Sequence, residues 1–235
     1  MQRQHVIQLA FPGQDRRSAE FYRGFVALQG EKTLPNSLFW RDESGKSICE
    51  TPQIRWVPSY QGVSIVASSL YETEINESVS HLMASLLNTE LNEFKVSKTV
   101  RDVDAVELDD IFDYHVDRVL YDASANKVAA FLDAPEKEKR DILEDYLKSE
   151  LTREAEAWGV DESVFIENAS HIRISQMKSL APVKIKDKTT GDVKRMIARY
   201  SFKFTMPVRL YGTWQIGRQR SKGYGIVRPD TGRGL

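Results

Sequence analysis

Three glycines and three cations lie within ten positions near the end of the sequence. They are Gly217, Arg218, Arg220, Lys222, Gly223 and Gly225. Glycine has no Cβ, so it adopts positive φ angles and lets a ligand come close to the backbone. Backbone N–H groups and cationic side chains together form a nest for a polyanion. The stretch predicts a glycine-rich loop, residues 217–225, that binds a phosphodiester backbone. A tight hairpin with solvated charges is the alternative.

A nucleotide-binding loop is excluded by the residue types in this stretch. Gly212 and Gly217 have the spacing of the outer glycines of a Walker A motif. However, Arg218 and Gln219 stand where that motif requires Lys and Ser or Thr. A strand-like run follows the loop, so no helix N-terminus faces a phosphate.

The end of the loop carries a family resemblance. It reads Ser221-Lys222-Gly223-Tyr224-Gly225-Ile226. This ending resembles the C-terminal glycine-rich loop of the RAMP superfamily, the RNA-binding proteins of CRISPR systems. The resemblance implies an α+β protein built from ferredoxin-like (RAMP/RRM-like) folds with antiparallel sheets. It also implies CRISPR repeat RNA, in hairpin form, as the partner, together with other CRISPR effector subunits.

Within that superfamily the first candidate is the CRISPR RNA-processing endoribonuclease, which cuts precursor RNA in its repeats without a metal ion. One alternative is a non-catalytic RAMP subunit that holds guide RNA in an effector complex. The other alternative is a globular protein whose basic sheet binds a protein partner and no RNA. The three differ in whether RNA is bound and in whether it is cut.

The residues available for cleavage are arginines. In such nucleases the ribose 2′-OH attacks the adjacent phosphate, and many members use a histidine just after the first helix. Residues 6–80 contain no histidine, which points to the type IV branch, where the family depends less on histidine. The resemblance then makes Arg23, Arg41 and Arg218 the candidate catalytic residues. A guanidinium is a poor base, so their expected role is to orient the phosphate and stabilise the transition state.

In the last sixty residues, several cations lie beside aromatic side chains. Cations suit phosphates, and aromatic rings suit unstacked bases, which favours RNA over duplex DNA. The predicted RNA-binding residues are Arg17, Arg199, Lys203, Gly217, Arg220, Ser221, Lys222, Gly223, Tyr224 and Gly225.

The overall charge of −1 conceals a division along the chain. Residues 176–235 carry 14 Lys and Arg against 3 Asp and Glu, a net charge of +11. Residues 102–168 carry 7 against 20, a net charge of −13. A concentration of positive charge in the C-terminal part predicts a cationic binding surface there. Two halves that neutralise each other are the alternative.

The opening elements resemble one ferredoxin-like unit. Residues 5–11 alternate as a strand, and Asp15 or Ser18 caps a helix that runs to Gln29. The spacing of Phe21, Phe25 and Leu28 predicts the buried face of that helix. Further strands are predicted at 38–41, 54–57 and 63–66, before a helix over 73–94.

The remaining chain divides by its periodicity. Leu108, Ile111, Phe112, His115 and Val119 fit one helical face, so residues 102–168 are predicted to form a helical insertion. Strand-like alternation then returns, and it places Arg173, Lys184 and Lys186 on one face of a sheet. The predicted division is a domain over 1–101, an insertion over 102–168, and a β-rich part over 169–235.

The composition argues against several other classes of protein. No stretch reaches the roughly 18–20 apolar residues of a membrane span. The single cysteine, Cys49, excludes an internal disulfide and a multi-cysteine metal site. We therefore expect a cytoplasmic protein with no metal, no cofactor and no membrane contact.

Overall fold

The structure is a computed structural model. It describes residues 2–12, 17–30, 33–121, 125–186 and 193–232. The strands are β1 (Gln2–Ala10), β2 (Ile54–Ser59), β3 (Gly62–Ser68), β4 (Lys95–Tyr121), β5 (Arg173–Lys186), β6 (Val193–Tyr211), β7 (Trp214–Gln215) and β8 (Ile226–Pro229). The helices are α1 (Ala19–Gln29), α2 (Glu72–Leu87), α3 (Ala125–Asp133), α4 (Glu136–Trp158) and α5 (Ser163–Glu167).

One antiparallel sheet joins these strands in the order β2-β3-β1-β4-β6-β5. Strand β4 connects its two halves, because its first part pairs with β1 and the rest pairs with β6. Strand β8 pairs with β4 on Tyr114–Asp117 and with β7. The predicted α+β fold with antiparallel sheets is confirmed.

Both faces of the sheet are buried at β1. Ile7 and Leu9 pack into a core with α1 and α2, whereas Val6 belongs to a second core that includes side chains of α4. Successive strand residues point to opposite faces, so β1 serves both cores. No helix among the described residues is long and apolar enough to cross a membrane.

Helix α1 confirms the predicted boundaries but not the predicted face. Ser18 caps it by accepting from the N–H of Phe21 at 3.1 Å, and Gly30 ends it. Asp15, the other predicted cap, lies outside the described residues. The buried face is formed by Ala19, Tyr22 and Val26, while Phe21 and Leu28 are exposed. The prediction was wrong by about one residue, which turns a helix by roughly 100°.

Two other secondary-structure predictions are wrong. Residues 36–39 form a 3-10 helix instead of a strand, and Trp40 follows it with a φ of 54°. Residues 102–121 belong to β4, so the helical part is shorter than predicted and lies at α3 to α5. Strand β4 also runs through the predicted boundary at residue 101.

Three further predictions concern β2 and β3, helix α2, and the cationic face of β5. Strands β2 and β3 confirm the predictions at 54–57 and 63–66, and α2 is confirmed but ends earlier, at Leu87. Strand β5 extends over the predicted cationic positions, but the side chains of Lys184 and Lys186 lie outside the described residues. The division of the chain into three parts stays a prediction.

Candidate nucleic-acid interface and active site

The glycine-rich loop connects β7 and β8, as predicted. Gly217, Gly223 and Gly225 all have positive φ, at 83°, 83° and 67°. The N–H of Ile216 donates to the carbonyl of Gly225 at 2.8 Å and closes the loop. The positive φ angles explain why glycine occupies these positions.

The loop packs against α1 and β2. A Cβ on Gly223 would lie 2.7 Å from both the Cβ of Ala19 and the carbonyl oxygen of Trp56. The close approach that this glycine permits is therefore to the protein's own backbone and side chains. Nearby, Tyr224 and Lys222 both reach one carboxylate of α1. The hydroxyl of Tyr224 lies 3.0 Å from Glu20 Oε2, and Lys222 Nζ lies 3.4 Å from Glu20 Oε1.

Arg220 differs from the prediction that it contacts RNA. Its side chain is only 4% exposed, and its guanidinium pairs with Glu150 and Glu154 of α4. Burial alone would lower the pKa of Arg220, but these two carboxylates raise it above its ordinary value. A phosphate could reach this guanidinium only by displacing a buried carboxylate, so we assign Arg220 to the architecture of the loop.

Arg23 and Arg41 lie within electrostatic reach of each other. Arg23 donates to the carbonyl of Phe39, and its guanidinium lies 5.7 Å from the centre of the Phe39 ring. Burial and then the charge of Arg41 lower the pKa of Arg23 to about 10, although Glu20 acts in the opposite direction. Arg23 remains protonated at neutral pH, so it can serve as a partly desolvated cation beside Arg41.

Arg218 contacts β4 through its backbone and acts electrostatically on α4. Its N–H donates to the carbonyl of Leu120 at 3.2 Å. Its charge acts on Tyr146 of α4, whose pKa is raised mainly by burial and then by Glu150, while Arg220 and Arg218 oppose the rise. The structure thus groups Arg23 with Arg41 and places Arg218 beside α4.

The remaining predicted RNA-binding residues differ in accessibility. Arg199 is half-buried on β6, and its charge acts on the hydroxyl of Tyr224. Ser221 is half-buried in the loop. Lys203 forms an ion pair of 2.8 Å with Asp230 and is 11% exposed, so it is the less accessible cation.

A cleft of about 360 Å³ lies between the start of α1, the β2–β3 turn and strands β4 and β8. The side chains that line it include Arg17, Tyr60, Arg118 and Arg228. The guanidinium of Arg118 lies 5.6 Å from the centre of the Tyr224 ring, which links the cleft to the loop. Three arginines concentrate positive charge around one cleft, although Arg228 also pairs with Asp117 at 3.9 Å.

Sequence reasoning did not assign Arg118 or Arg228 to this site. Arg118 lies in the acidic stretch that was predicted to be helical, and it has a positive φ of 55°. It occupies an irregularity of β4, where the pairing with β6 shifts between Val116 and Val119. Arg228 could have been assigned from the sequence, because it is a cation that follows the glycine-rich loop by three residues.

In the part of the chain that the structure describes, no group of three or more His, Cys, Asp or Glu side chains could hold a metal ion.

Arg17 of the cleft also pairs with Glu90 at 3.4 Å, and its guanidinium lies 4.6 Å from the centre of the Phe21 ring.

The sequence matches a protein family over nearly its whole length. The sequence model of the family described as type IV CRISPR-associated endonuclease Csf5 matches residues 1–232. The chain therefore belongs to this family and is a CRISPR-associated endonuclease, which confirms the resemblance found in the loop and the type IV branch. No curated protein matches the sequence.

Solved structures share the fold. "Csf5, CRISPR-Cas type IV Cas6 crRNA endonuclease" superposes with a TM-score of 0.74 at 19% identity, covering 97% of this chain and 99% of that one. "Crystal structure of Cas6b" gives a TM-score of 0.66 at 16% identity, covering 98% of this chain and 100% of that one. These likenesses show that the chain shares the fold of the two solved structures.

Proposed function

We propose that this endonuclease cuts CRISPR precursor RNA within its repeats, without a metal ion, and stays bound to the repeat hairpin. The observation that carries the proposal is the position of the glycine-rich loop, which packs on α1 next to the cleft lined by Arg17, Arg118 and Arg228. The loop is the motif that carries the family resemblance, and the cleft supplies the charge that RNA requires.

RNA binding uses both charge and ring surfaces in this arrangement. The three arginines of the cleft hold phosphates, and Arg199 and Lys222 extend the positive surface along the loop. Tyr60 is 90% exposed at the rim of the cleft. A ring in that position can stack on an unpaired base next to a hairpin.

The chemistry begins with attack of the ribose 2′-OH on the neighbouring phosphate. Negative charge then grows on the phosphorane oxygens. A desolvated cation stabilises such charge more strongly than one in water. Arg23 with Arg41 is the proposed source of that stabilisation, with Arg218 as the third catalytic candidate. The 2′-OH gives up its proton to solvent as its oxygen bonds to phosphorus, the P–O5′ bond breaks, and the leaving 5′-oxygen takes a proton from solvent. The products are a 2′,3′-cyclic phosphate and a 5′-hydroxyl.

The family description favours this nuclease over a non-catalytic RAMP subunit. A nuclease that stays bound to the RNA it has cut also becomes part of the complexes that this RNA forms. Other CRISPR effector subunits are therefore the expected protein partners.

The test incubates the purified protein with repeat RNA in EDTA and maps the ends of the products. Arg23→Ala or Arg41→Ala is expected to slow single-turnover cleavage about a hundredfold or more, with RNA binding much less affected. Arg101→Ala, which removes an exposed cation of β4, is the control. If RNA binds tightly but is never cut, the non-catalytic subunit becomes the better explanation. If His5, His115 or His171 is essential instead, the arginine assignment is wrong.

A further inference from the structure

Two buried glutamates of α4 face the glycine-rich loop. Glu150 and Glu154 are one helical turn apart, so their side chains lie on the same side of the helix. Both are buried, at 2% and 0% exposure. Buried carboxylates are costly unless every oxygen has a partner, so the identity of those partners indicates why they are there.

Three groups of the loop region bind these two carboxylates. The N–H of Gly217 donates to Glu150 Oε2 at 2.8 Å, and the N–H of Gln215 donates to Glu154 Oε1 at 2.9 Å. The guanidinium of Arg220 donates Nη1 to Glu154 Oε2 at 2.6 Å and Nη2 to Glu150 Oε2. Burial alone would raise the pKa of Glu154, but Arg55 and then Arg220 lower it below its ordinary value. The carboxylate therefore stays charged at neutral pH.

The same contacts extend through the loop. Arg220 Nε donates to the carbonyl of Gly217 at 2.9 Å. The side-chain amide of Gln215 donates to the carbonyls of Arg220 and Tyr224 at 3.1 and 3.0 Å. The two glutamates are thus linked through Arg220 and Gln215 to Tyr224, which faces α1 at Glu20.

The network also reaches the N-terminal half of the sheet. Arg55 of β2 donates to Glu154 Oε1, and Trp158 Nε1 donates to the same oxygen at 3.0 Å. The guanidinium of Arg55 lies 4.3 Å from the centre of the Trp158 ring. Arg153 of α4 also pairs with Glu150, so three arginines surround the two carboxylates, and of these three only Arg220 belongs to the loop.

We propose that Glu150 and Glu154 are positioning residues that hold the glycine-rich loop in the conformation that binds RNA for cleavage. This inference rests on the proposed function. The loop has little regular structure of its own, because β7 has two residues and Gln219 and three glycines have positive φ. Buried ion pairs contribute less to stability than apolar packing of the same volume, so a positioning role accounts for charge at this place.

The test uses Glu150→Gln and Glu154→Gln, which keep the shape of the side chain and remove its charge. Glu144→Gln is the matched control, because Glu144 is also on α4 and accepts a backbone N–H at 2.9 Å, but from Ile174 of β5. Hydrogen exchange of the Gln215 and Gly217 amides is measured together with single-turnover cleavage of repeat RNA. Both test variants are expected to exchange these amides roughly tenfold faster or more and to cut RNA at least tenfold more slowly. The control is expected to do neither.

A double-mutant cycle keeps the inference testable if the single variants are poorly folded. Glu150→Gln combined with Arg220→Gln removes both charges of one pair. If the two residues act as a unit, the double variant loses less than the product of the single losses. Independent losses would overturn the link through Arg220.

Two outcomes overturn the positioning role itself. One is exchange of the Gln215 and Gly217 amides at the rate of the unaltered protein, and the other is faster exchange with unchanged cleavage. The exchange measurement needs no RNA. If the unaltered protein cut no repeat RNA, the proposed function would fail, while the exchange rates would still show whether the glutamates hold the loop.

Discussion

The hydroxyl of Tyr224 in the glycine-rich loop lies 3.0 Å from Glu20 Oε2 on α1, and the two residues are 204 positions apart in the chain. Burial, followed by the charge of Glu20, raises the pKa of this hydroxyl, so it is a neutral hydrogen-bond donor at physiological pH. Lys222 shares the same carboxylate. The carboxylate of Glu20 therefore binds two groups of the proposed RNA surface, and it competes with RNA phosphates for them.

The first prediction removes that competition. Glu20→Gln keeps an acceptor for Tyr224 but frees Lys222 and removes a negative charge. Because the pair is partly exposed and worth about 0.2–1 kcal/mol, RNA affinity is expected to rise by up to about fivefold. Fluorescence anisotropy with labelled repeat RNA measures the change. The control is Asp145→Asn, which breaks the exposed pair with Lys148 on α4. Weaker binding by Glu20→Gln would show that the carboxylate organises the loop for RNA.

A second prediction concerns the cleft. Arg118→Gln and Arg228→Gln are each expected to weaken RNA binding and to reduce the slope of log affinity against log salt by about one, because each removes one phosphate contact. Titrations at several salt concentrations measure the slope. Arg140→Gln on α4 should leave it unchanged. An equal reduction by Arg140→Gln would place the RNA on the helices instead.

A third prediction follows from the lowered pKa of Arg23. Loss of its proton removes the positive charge, so enzyme-dependent cleavage is expected to fall as pH rises through about 10. Burial sets most of this pKa, and Arg41 lowers it further, so Arg41→Gln should move the fall to higher pH. Single-turnover rates corrected for spontaneous RNA hydrolysis provide the profile. If the pH profile of Arg41→Gln matched that of the unaltered protein, the charge of Arg23 would not control the cleavage rate.

The last prediction compares two glycines. In Gly225→Ala the new Cβ would overlap the carbonyl oxygen of Ile216 at a φ of 67°, so stability is expected to fall by about 2–4 kcal/mol. Gly24 lies inside α1 with no heavy atom within 4 Å of a Cβ, so Gly24→Ala should stabilise by about 1 kcal/mol. Urea unfolding measures both. A stable Gly225→Ala protein would mean that the loop can move away from Ile216.

Local signals were sufficient for several elements. The two ends of α1, at Ser18 and Gly30, were predictable because helix capping depends on adjacent residues. The loop glycines were recognisable because positive φ restricts the residue type. Strand β4 was mistaken for a helix for a physical reason. Its pairing with β6 shifts between Glu107 and Phe112 and again after Val116, so the two-residue period of a strand is lost.

The site was less predictable than the fold. Arg220 lies between Arg218 and Lys222 in the sequence, but its partners Glu150 and Glu154 are 70 and 66 residues away. No local pattern indicates that pairing. Arg118 was similarly hidden, because only the folded sheet brings it next to Tyr224. Pairing over long distances decided which cations face the cleft.

The long separations between the loop and its supports also set an order of events during protein synthesis. Glu20, Arg55, Glu150 and Glu154 leave the ribosome before the loop that they hold. Strand β8, which pairs with β4, is made later still. A growing chain can therefore assemble much of the sheet and α4 while the RNA surface is incomplete. The proposed RNA surface is therefore completed only after α4, the loop and β8 have all been made.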